Sequence, residues 1–593
     1  MSAALYEQRQ QQFQQKADQL ARLQSTLSTV RLLCFVGAIV AGIYYWKTGH
    51  GLLLLLGIAL LAAFFILIRW YDKKGRELAF ASALAKVNLQ EAAFLTEGKK
   101  SYHHGGEHIN PHHPYSYDID LFGQQSFFHF LNRSTSLFGN DQLAAALIQP
   151  DIAQIEARQQ AIAELKEKLE FRHNLAAHGL EHPLQAADVE QIKNWLTSPN
   201  TLFGRPVWRV LMFLAPAAFL VSFVAYLFEW IPNGNLPTYL FLFNLLLLGQ
   251  FYKMFTKQLS VSGSLSKSLL QLAAQFSDIE KEKFASPLLQ QLQQQMFRGQ
   301  TGAAQSIKKL AVLFSNLDSI FNLPASMALN GTVLFHLHVF YAIEKWKTQQ
   351  QEQLFHWLEC LGQAEALNSF ANFAYNNPSF VFPRPSTTET ISATDLGHPL
   401  IAAHKRTCNN ISLQEEKFIV LTGSNMSGKS TFLRTLALNL VLARAGSVVC
   451  ATQFQFYPYD IFVSMRINDS LLDNESFFYA ELKRLQSIVH HVQAGHKTFV
   501  LLDEILRGTN SNDKHGGTVG LIKKLAAMRI CGLIATHDVT IGELSALYPD
   551  YMANKCFEAQ IVNDELLFDY KLKDGVCQKL SASFLMKKME IID

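Results

Sequence analysis

The stretch Gly423-Ser424-Asn425-Met426-Ser427-Gly428-Lys429-Ser430-Thr431 decides the fold of the C-terminal part of the chain. It follows the apolar run Phe418-Ile419-Val420-Leu421, which predicts a strand, and it has the spacing G-x-x-x-x-G-K-[ST]. Such a loop lets backbone N–H groups close around phosphates, and the N-terminus of the next helix adds its dipole. We therefore predict that residues 423–431 bind the phosphates of ATP, with Lys429 on the β- and γ-phosphates and the Ser430 hydroxyl on Mg²⁺.

Two more apolar runs end in residues that suit the same chemistry. Thr498–Leu502 leads into Asp503 and Glu504, and Gly532–Thr536 leads into His537. The carboxyl ends of parallel strands share one edge of a sheet, so these side chains are predicted to meet the loop. Asp503 is expected to hold Mg²⁺, Glu504 to act as the general base on water, and His537 to sense the γ-phosphate. A surface carboxylate pair and a structural histidine are the alternative interpretations.

Short apolar strands alternate with helices from Phe418 onward, which predicts an α/β domain with a parallel sheet and helices on both faces. We place this domain at residues 390–593. Upstream, residues 72–200 and 257–385 carry apolar side chains at three- and four-residue steps, which is typical of helices. The chain is thus predicted to join an all-α region to a C-terminal P-loop ATPase domain.

Four apolar runs interrupt the helical region and predict two transmembrane hairpins, at residues 32–71 and 205–256. The runs cover residues 32–46, 52–70, 207–230 and 237–252, and short links join the members of each pair. With flanking residues, each run approaches the length that a bilayer of ~30 Å requires. Buried core helices are the alternative interpretation.

The positively charged residues indicate how these hairpins are oriented. Basic side chains flank the outer ends of both hairpins, whereas the first link has one lysine and the second has none. By the positive-inside rule both links face outward, and the Gln-rich helix at 1–31 and the long remaining segments face the cytoplasm. We expect a multi-pass protein of the cell (inner) membrane with a cytoplasmic ATPase domain. The flanking basic residues are Arg22, Arg31, Lys73, Lys74, Arg76, Arg205, Arg209, Lys253 and Lys257.

Composition agrees with a membrane part joined to a soluble part. Of the 593 residues 49% are hydrophobic and 17% charged, against about 25% charged in average soluble proteins. The net charge of +3 gives no overall mark of a nucleic-acid binder. The 7 cysteines are scattered and contain no CxxC pair, which argues against a disulfide framework or a structural zinc site. A His-rich stretch at 103–114 predicts a solvated loop, with metal binding as the open alternative.

The motifs together resemble the MutS family. Residues 425–431, 503–513 and 535–537 are similar to the MutS ATPase, and the run after Asp503-Glu504 is the most specific of them. Ser476 lies in a stretch similar to the family's Ser-Thr-Phe element, with Phe477 in place of Thr. The resemblance implies ATP hydrolysis with Mg²⁺, a homodimer through the ATPase domains in which Ser476 completes the partner's site, and a DNA-binding role of the mismatch-repair type.

Weaker resemblances to the MutS helical core lie upstream, at residues 139–169, 364–371 and 375–383, and residues 397–399 with Asn409 fit the entry to the ATPase. We find neither a mismatch-reading domain with its Phe-x-Glu wedge nor a β-rich clamp between the lever helices. Mismatch recognition is therefore not predicted from the residues, and DNA binding is implied by the resemblance alone.

Three functions remain as alternatives. The first is a membrane-anchored MutS-like ATPase, and the second is a non-DNA scaffold or assembly ATPase at the membrane. An ABC-type transporter is the third, but the Leu-Ser-Gly-Gly-Gln signature of that class is absent. A domain that binds nucleotide without hydrolysing it is disfavoured because Lys429, Ser430, Asp503, Glu504 and His537 are all present.

Overall fold

The computed structural model describes residues 3–200, 206–298, 301–414, 417–466, 477–562 and 565–578. The described chain consists of a helical N-terminal region followed by an α/β region. The helices of the first region are α1 (Ala3–Thr48), α2 (Gly51–Glu97), α3 (Phe127–Leu131), α4 (Leu137–Ile148), α5 (Ile155–Glu167), α6 (Leu169–Glu181), α7 (Ala186–Thr197), α8 (Pro206–Leu227), α9 (Asn235–Gly249), α10 (Tyr252–Lys281), α11 (Pro287–Gln295), α12 (Ala303–Asp318), α13 (Leu323–Val333) and α14 (Phe335–Asn376). A short antiparallel pair, β1 (Phe297–Arg298) and β2 (Thr301–Gly302), precedes α12.

Helices α1 and α2 form a long antiparallel hairpin that extends the first pair of apolar runs in both directions. The chain reverses at Gly49, whose φ of 70° lies in the left-handed region. Small residues let the helices approach closely: a Cβ on Gly57 would lie 3.7 Å from the Cβ of Ala41. The large apolar side chains point away from this contact, and Leu52 is 81% exposed.

Length and composition single out the apolar helices. Among the described residues, α1, α2 and α8 are long and apolar enough to cross a membrane, whereas α9, with 15 residues, is shorter. The helices α13 and α14 pass the same test as a pair, although they are bent by 80° at their junction. Sequence reasoning predicted α8 and α9 as a hairpin but did not single out α13.

The helical core is organised by α14, whose Trp357 is fully buried. Glu365 on this helix accepts hydrogen bonds from the backbone N–H groups of Thr135 (3.3 Å) and Ser136 (3.2 Å) and from both hydroxyls. A buried carboxylate thus caps the N-terminus of α4, where backbone N–H groups lack helical partners. Burial raises the pKa of Glu365, and these hydrogen bonds oppose the rise.

The α/β region contains a six-stranded sheet in the order β14-β11-β6-β10-β9-β8 and a four-stranded sheet in the order β3-β7-β4-β5. In the six-stranded sheet only β14 pairs in the antiparallel direction. The strands are β3 (Arg384–Pro385), β4 (Ile391–Leu396), β5 (Asn409–Leu413), β6 (Phe418–Gly423), β7 (Gln453–Phe456), β8 (Asp460–Ser464), β9 (Thr498–Asp503), β10 (Cys531–Thr536), β11 (Met552–Phe557), β12 (Ala559–Val562), β13 (Glu565–Phe568) and β14 (Lys573–Asp574). The helices are α15 (Lys429–Arg444), α16 (Phe477–Gln493), α17 (Ser511–Ala527) and α18 (Leu544–Leu547).

Both faces of the larger sheet are covered, as the continuous apolar strands predict. Ile419 and Leu421 pack in one cluster with Leu433 of α15. Phe418 and Val420, which point to the other face, pack with helices α16 and α17. In register, Ala535 on β10 lies beside both Leu421 and Asp503, so the carboxyl ends of β6, β9 and β10 meet at one edge.

Arg158 of α5 joins the helical core to the helix that follows the predicted phosphate loop. Its Nε donates to the carbonyl of Ala445 (2.9 Å) and its Nη2 to that of Arg444 (3.0 Å). These carbonyls lie at the C-terminal end of α15, where they lack partners within the helix. The core therefore holds the far end of the helix whose N-terminus faces the predicted nucleotide.

Asp118 forms the second link between the two regions. Its Oδ1 accepts the N–H groups of Met465 (2.7 Å) and Arg466 (2.9 Å), directly after β8. Its Oδ2 lies 2.8 Å from Nη2 of Arg484 on α16. One buried carboxylate thereby fixes the edge strand and the neighbouring helix against the helical region.

Candidate nucleotide-binding site

The loop between β6 and α15 has the backbone conformation that its glycines predicted. Gly428 has a φ of 104° and Met426 a φ of 66°, both in the left-handed region. Gly428 is also restricted by space, because a Cβ there would lie 3.1 Å from the Tyr570 ring. The Met426 side chain is 77% exposed. The turn therefore depends on its backbone, and the methionine side chain is not needed for it.

Lys429 is the first residue of α15 and its side chain is buried against the loop. Its Nζ donates to the carbonyls of Gly423 (2.7 Å) and Ser424 (3.0 Å). Burial lowers the pKa of Lys429, while the carboxylates of Glu504 and Asp503 act to raise it. The ammonium is thus held on the loop, facing the two acidic residues.

The acidic pair lies at the end of β9, where the sequence placed it. Burial raises the pKa of Asp503, and a hydrogen bond with the Ser430 side chain opposes this rise. Glu504 turns out of the strand with a φ of 47°, and its N–H donates to the carbonyl of Ala535 (2.9 Å). The Nδ1 of His537 lies 3.6 Å from Oε1 of Glu504. The structure therefore brings Lys429, Ser430, Asp503, Glu504 and His537 together at one sheet edge.

Two residues without a role in the sequence analysis shape the acidic loop. Arg507 places its Nη2 3.8 Å from Oδ2 of Asp503 and its Nε 3.8 Å from Oε2 of Glu504. Glu481 of α16 accepts the N–H groups of Leu506 (2.6 Å) and Arg507 (3.2 Å). Both residues lie in stretches that resemble the MutS ATPase. A single sequence, however, gives no sign that Glu481 is buried or aimed at this loop.

A cavity of about 410 Å³ opens beside the loop. This volume falls in the range of ~300–1,000 Å³ that small-molecule sites occupy. The hydroxyls of Ser424 and Ser427 and Oδ1 of Asp503 are buried and have no hydrogen-bond partner in the described part of the chain. Buried polar atoms are nearly always satisfied, so these three indicate a polar ligand at this place. The lining includes Leu396, His398, Ile401, Lys405, Thr407, Asn409, residues 424–432, Thr435, Glu504, Phe557 and Tyr570.

Asn409 fixes one wall of the cavity. Its Nδ2 donates to the carbonyl of Tyr570 (3.0 Å), and its Oδ1 accepts the N–H of Leu572 (2.8 Å). These bonds hold the Tyr570 ring beside the loop. His398 lines the cavity near the start of the domain, and burial, with help from Arg434, lowers its pKa to about 4. His398 is therefore a neutral group at physiological pH.

Two sequence predictions concern Ser476 and the His-rich stretch. Ser476 lies outside the described residues, so its contribution to a second subunit's site stays a prediction. In the His-rich stretch, Nδ1 of His103 accepts the N–H of Gly105 (3.2 Å), and Nδ1 of His104 accepts the N–H of Gly106 (3.1 Å). These ring nitrogens stabilise turns, and the metal-binding alternative for this stretch stays a prediction.

The contact from Glu481 predicts a stability effect. Glu481→Ala should lower the free energy of unfolding by about 1–3 kcal/mol, because two N–H groups lose a buried acceptor. ATP turnover should fall as well, since the loop that carries Glu504 loses its support. Urea unfolding and turnover assays on the full-length protein in detergent measure both quantities. Leu482→Ala, at the exposed neighbouring position, is the control, and equal behaviour of the two variants would contradict the role of Glu481.

A family model agrees with this geometry. The model described as MutS domain V matches residues 419–590, from β6 to beyond the last described residue. The C-terminal part of the chain is therefore a MutS-type domain. The MutS-type domain includes the loop and Glu504, which line the cavity, and Asp503 and His537, which lie next to Glu504.

Individual relatives match somewhat more than a third of the chain. "MutS protein homolog 4" from Homo sapiens is 33% identical over 224 residues, which are 36% of this chain and 24% of that protein. "DNA mismatch repair protein MutS" from Pseudothermotoga lettingae is 31% identical over 230 residues, or 37% of this chain and 27% of that protein. The chain thus spans about a quarter of the length of these curated relatives. The remaining parts of the chain, more than three fifths of it, are interpreted from their own residues.

Proposed function

We propose that this protein with a MutS-type domain is an ATP hydrolase anchored in a membrane by its apolar helices. The observation that carries the proposal is the 410 Å³ cavity beside the loop, next to the three buried polar atoms that have no partner in the described chain. A phosphate chain with its metal ion would supply those partners. The relatives' membership of the same family supports this reading over a transporter of the ABC type.

In this proposal the loop 423–431 binds the phosphates through its backbone N–H groups and through Lys429. The Tyr570 ring offers a flat surface for the adenine base of ATP, and the side chains of Ile401 and Phe557 add apolar surface beside it. The hydroxyl of Ser430 and the carboxylate of Asp503 are hard oxygen donors, which suit Mg²⁺. When bound, Mg²⁺ neutralises charge on the phosphates and favours departure of the leaving group.

Glu504 takes the role of general base. It lines the cavity, and its carboxylate lies beside Arg507 and His537, which fix its orientation. From this place it accepts a proton from water as the water attacks the γ-phosphate. His537, directly after β10, lies beside Glu504 at the same edge of the sheet and senses the γ-phosphate.

The apolar helices supply the anchor. The exposed faces of α1, α2 and α8 carry large apolar side chains over lengths that suit a bilayer. The basic residues at the outer ends of the hairpins orient the MutS-type domain toward the cytoplasm. We place the protein in the cell (inner) membrane as a multi-pass protein.

A homodimer through the MutS-type domains, with Ser476 acting on the partner's nucleotide, completes the proposal. DNA is the second candidate partner, because the similar protein from Pseudothermotoga lettingae is named a DNA mismatch repair protein. The net charge of +3 favours instead a scaffold that engages protein or lipid. Salt dependence separates these two possibilities, because phosphate contacts release counterions.

The test is Mg²⁺-dependent ATP turnover by the full-length protein in lipid vesicles, with Lys429→Ala as the inactive reference. We expect turnover well above that of the variant. Equal rates in the two proteins would overturn the proposed hydrolase.

The same assay, repeated with duplex, mismatched and branched DNA at two salt concentrations, identifies the partner class. DNA stimulation that fades with salt would support a DNA-directed function. Turnover that DNA leaves unchanged would retain the hydrolase and contradict the DNA role.

A further inference from the structure

Helix α13 belongs to the second apolar hairpin, although the chain reaches it only after α10, α11 and α12. Residues 319–343 contain no Asp, Glu, Lys or Arg. A charge-free stretch of this length would suit a straight membrane span. The structure bends it by 80° between α13 and α14, so it does not continue straight across.

The bend is stabilised by a buried polar cluster. Leu334 adopts a φ of 52° and ends α13. Asn330 accepts the N–H of Leu334 on its backbone carbonyl (3.1 Å) and the N–H of His336 on its Oδ1 (3.0 Å). The His336 ring contacts Asn330 Nδ2 (2.7 Å) and Ser319 Oγ (3.1 Å). The polar groups that the break frees are thereby satisfied within the protein.

Close packing fixes α13 on α9. Asn244, which is buried in the second apolar hairpin, donates from Nδ2 to the carbonyl of Gly331 (2.8 Å). A Cβ on Gly331 would lie 2.1 Å from the Phe241 ring, so only glycine permits this approach. Irregular backbone is tolerated at membrane depth only where protein covers it, and this contact provides that cover.

Helix α13 also carries exposed apolar side chains. Leu323 is 70% and Met327 54% exposed, and the preceding Phe321 is 71% exposed. Leu329 and Val333, on another face of the helix, are exposed as well. This surface carries no charge that would recognise a protein partner, and it adjoins helices α8 and α9, whose outer residues are equally apolar.

We propose that α13 is a re-entrant helix that enters the bilayer beside α8 and α9 and turns back at Leu334, with acyl chains covering Leu323 and Met327. The inference rests on the proposed membrane anchoring and adds a third helix to the second anchor. With 11 residues, α13 is about 16 Å long. That length is near half of a hydrocarbon core of ~30 Å.

The test uses full-length protein in vesicles with brominated acyl chains. Three single substitutions, Met327→Cys on α13, Val221→Cys on α8 and Gln351→Cys on α14, each carry a thiol-linked fluorophore, and identically treated wild-type protein gives the background. Val221 is 70% exposed on its apolar helix, and Gln351 is exposed on the polar part of α14. We expect bromine to quench the labels at Met327 and Val221 and to leave the label at Gln351 unchanged.

The control positions separate the possible failures. Quenching at Val221 without quenching at Met327 would overturn the re-entrant helix and keep the anchor, and would leave a protein as the partner of α13. Loss of quenching at both positions would overturn the anchor together with the inference. Rapid reaction of Met327→Cys in vesicles with a water-soluble maleimide would also contradict lipid contact.

Discussion

Glu504→Gln is expected to lower the rate of ATP hydrolysis by about 10²–10⁴-fold, the usual contribution of a positioned general base. Glutamine keeps the size and the hydrogen-bonding capacity of the side chain but does not accept the proton. Nucleotide binding should remain, because the loop and Lys429 are untouched. Single-turnover kinetics and the binding of a fluorescent ATP analogue measure the two properties separately.

The position of Glu504 makes the effect specific. Its backbone is fixed by the bond from its N–H to Ala535, and its carboxylate lies beside His537 and Arg507. Glu543→Gln, at an exposed position of the same domain, is the matched control and should retain full turnover. If Glu504→Gln hydrolysed ATP as fast as Glu543→Gln, the general base would have to be another residue.

Asp118→Asn is expected to lower the free energy of unfolding by about 3–5 kcal/mol, the cost of removing one partner from a buried ion pair. Burial raises the pKa of Asp118 and lowers that of Arg484, and each group opposes the shift of the other. Without the carboxylate, the buried guanidinium of Arg484 loses its counter-charge. Two backbone N–H groups after β8 also lose a charged acceptor.

Asp120→Asn provides the comparison two residues away. Asp120 pairs with Arg466, but both side chains are over two-fifths exposed, and such exposed pairs contribute about 0–1 kcal/mol. Urea unfolding of both variants in detergent should therefore show a large loss for Asp118→Asn and a small one for Asp120→Asn. Similar losses would contradict the assignment of Asp118 as the link between the helical region and the sheet.

The loop and the acidic and histidine side chains beside it could be predicted from the sequence because local patterns encode them. Gly428 allows a left-handed turn after an apolar strand. Asp503 and Glu504 come at the end of a second apolar strand, and His537 follows a third. In a parallel sheet the ends of such strands meet, so the sequence places these residues together before any coordinates are known. The structure brings them to the edge that this argument requires.

Glu481, Tyr570 and the bend at Leu334 depend on contacts between distant parts of the chain. Glu481 approaches Leu506 only because α16 packs on β9, and Tyr570 approaches Gly428 through the bond to Asn409. A pattern of apolar residues shows which face of a helix is buried, but it does not show what that face meets.

The sequence alone determined which residues form the candidate site, the parallel sheet beneath it and the apolar character of the hairpins, because each follows from spacing along a short segment. Only the tertiary structure decided that Arg158 and Asp118 tie the helical region to α15 and α16, and that α13 joins the second apolar hairpin. Those contacts join residues far apart in the chain, and their energy comes from burial and complementary shape, which a linear pattern does not specify.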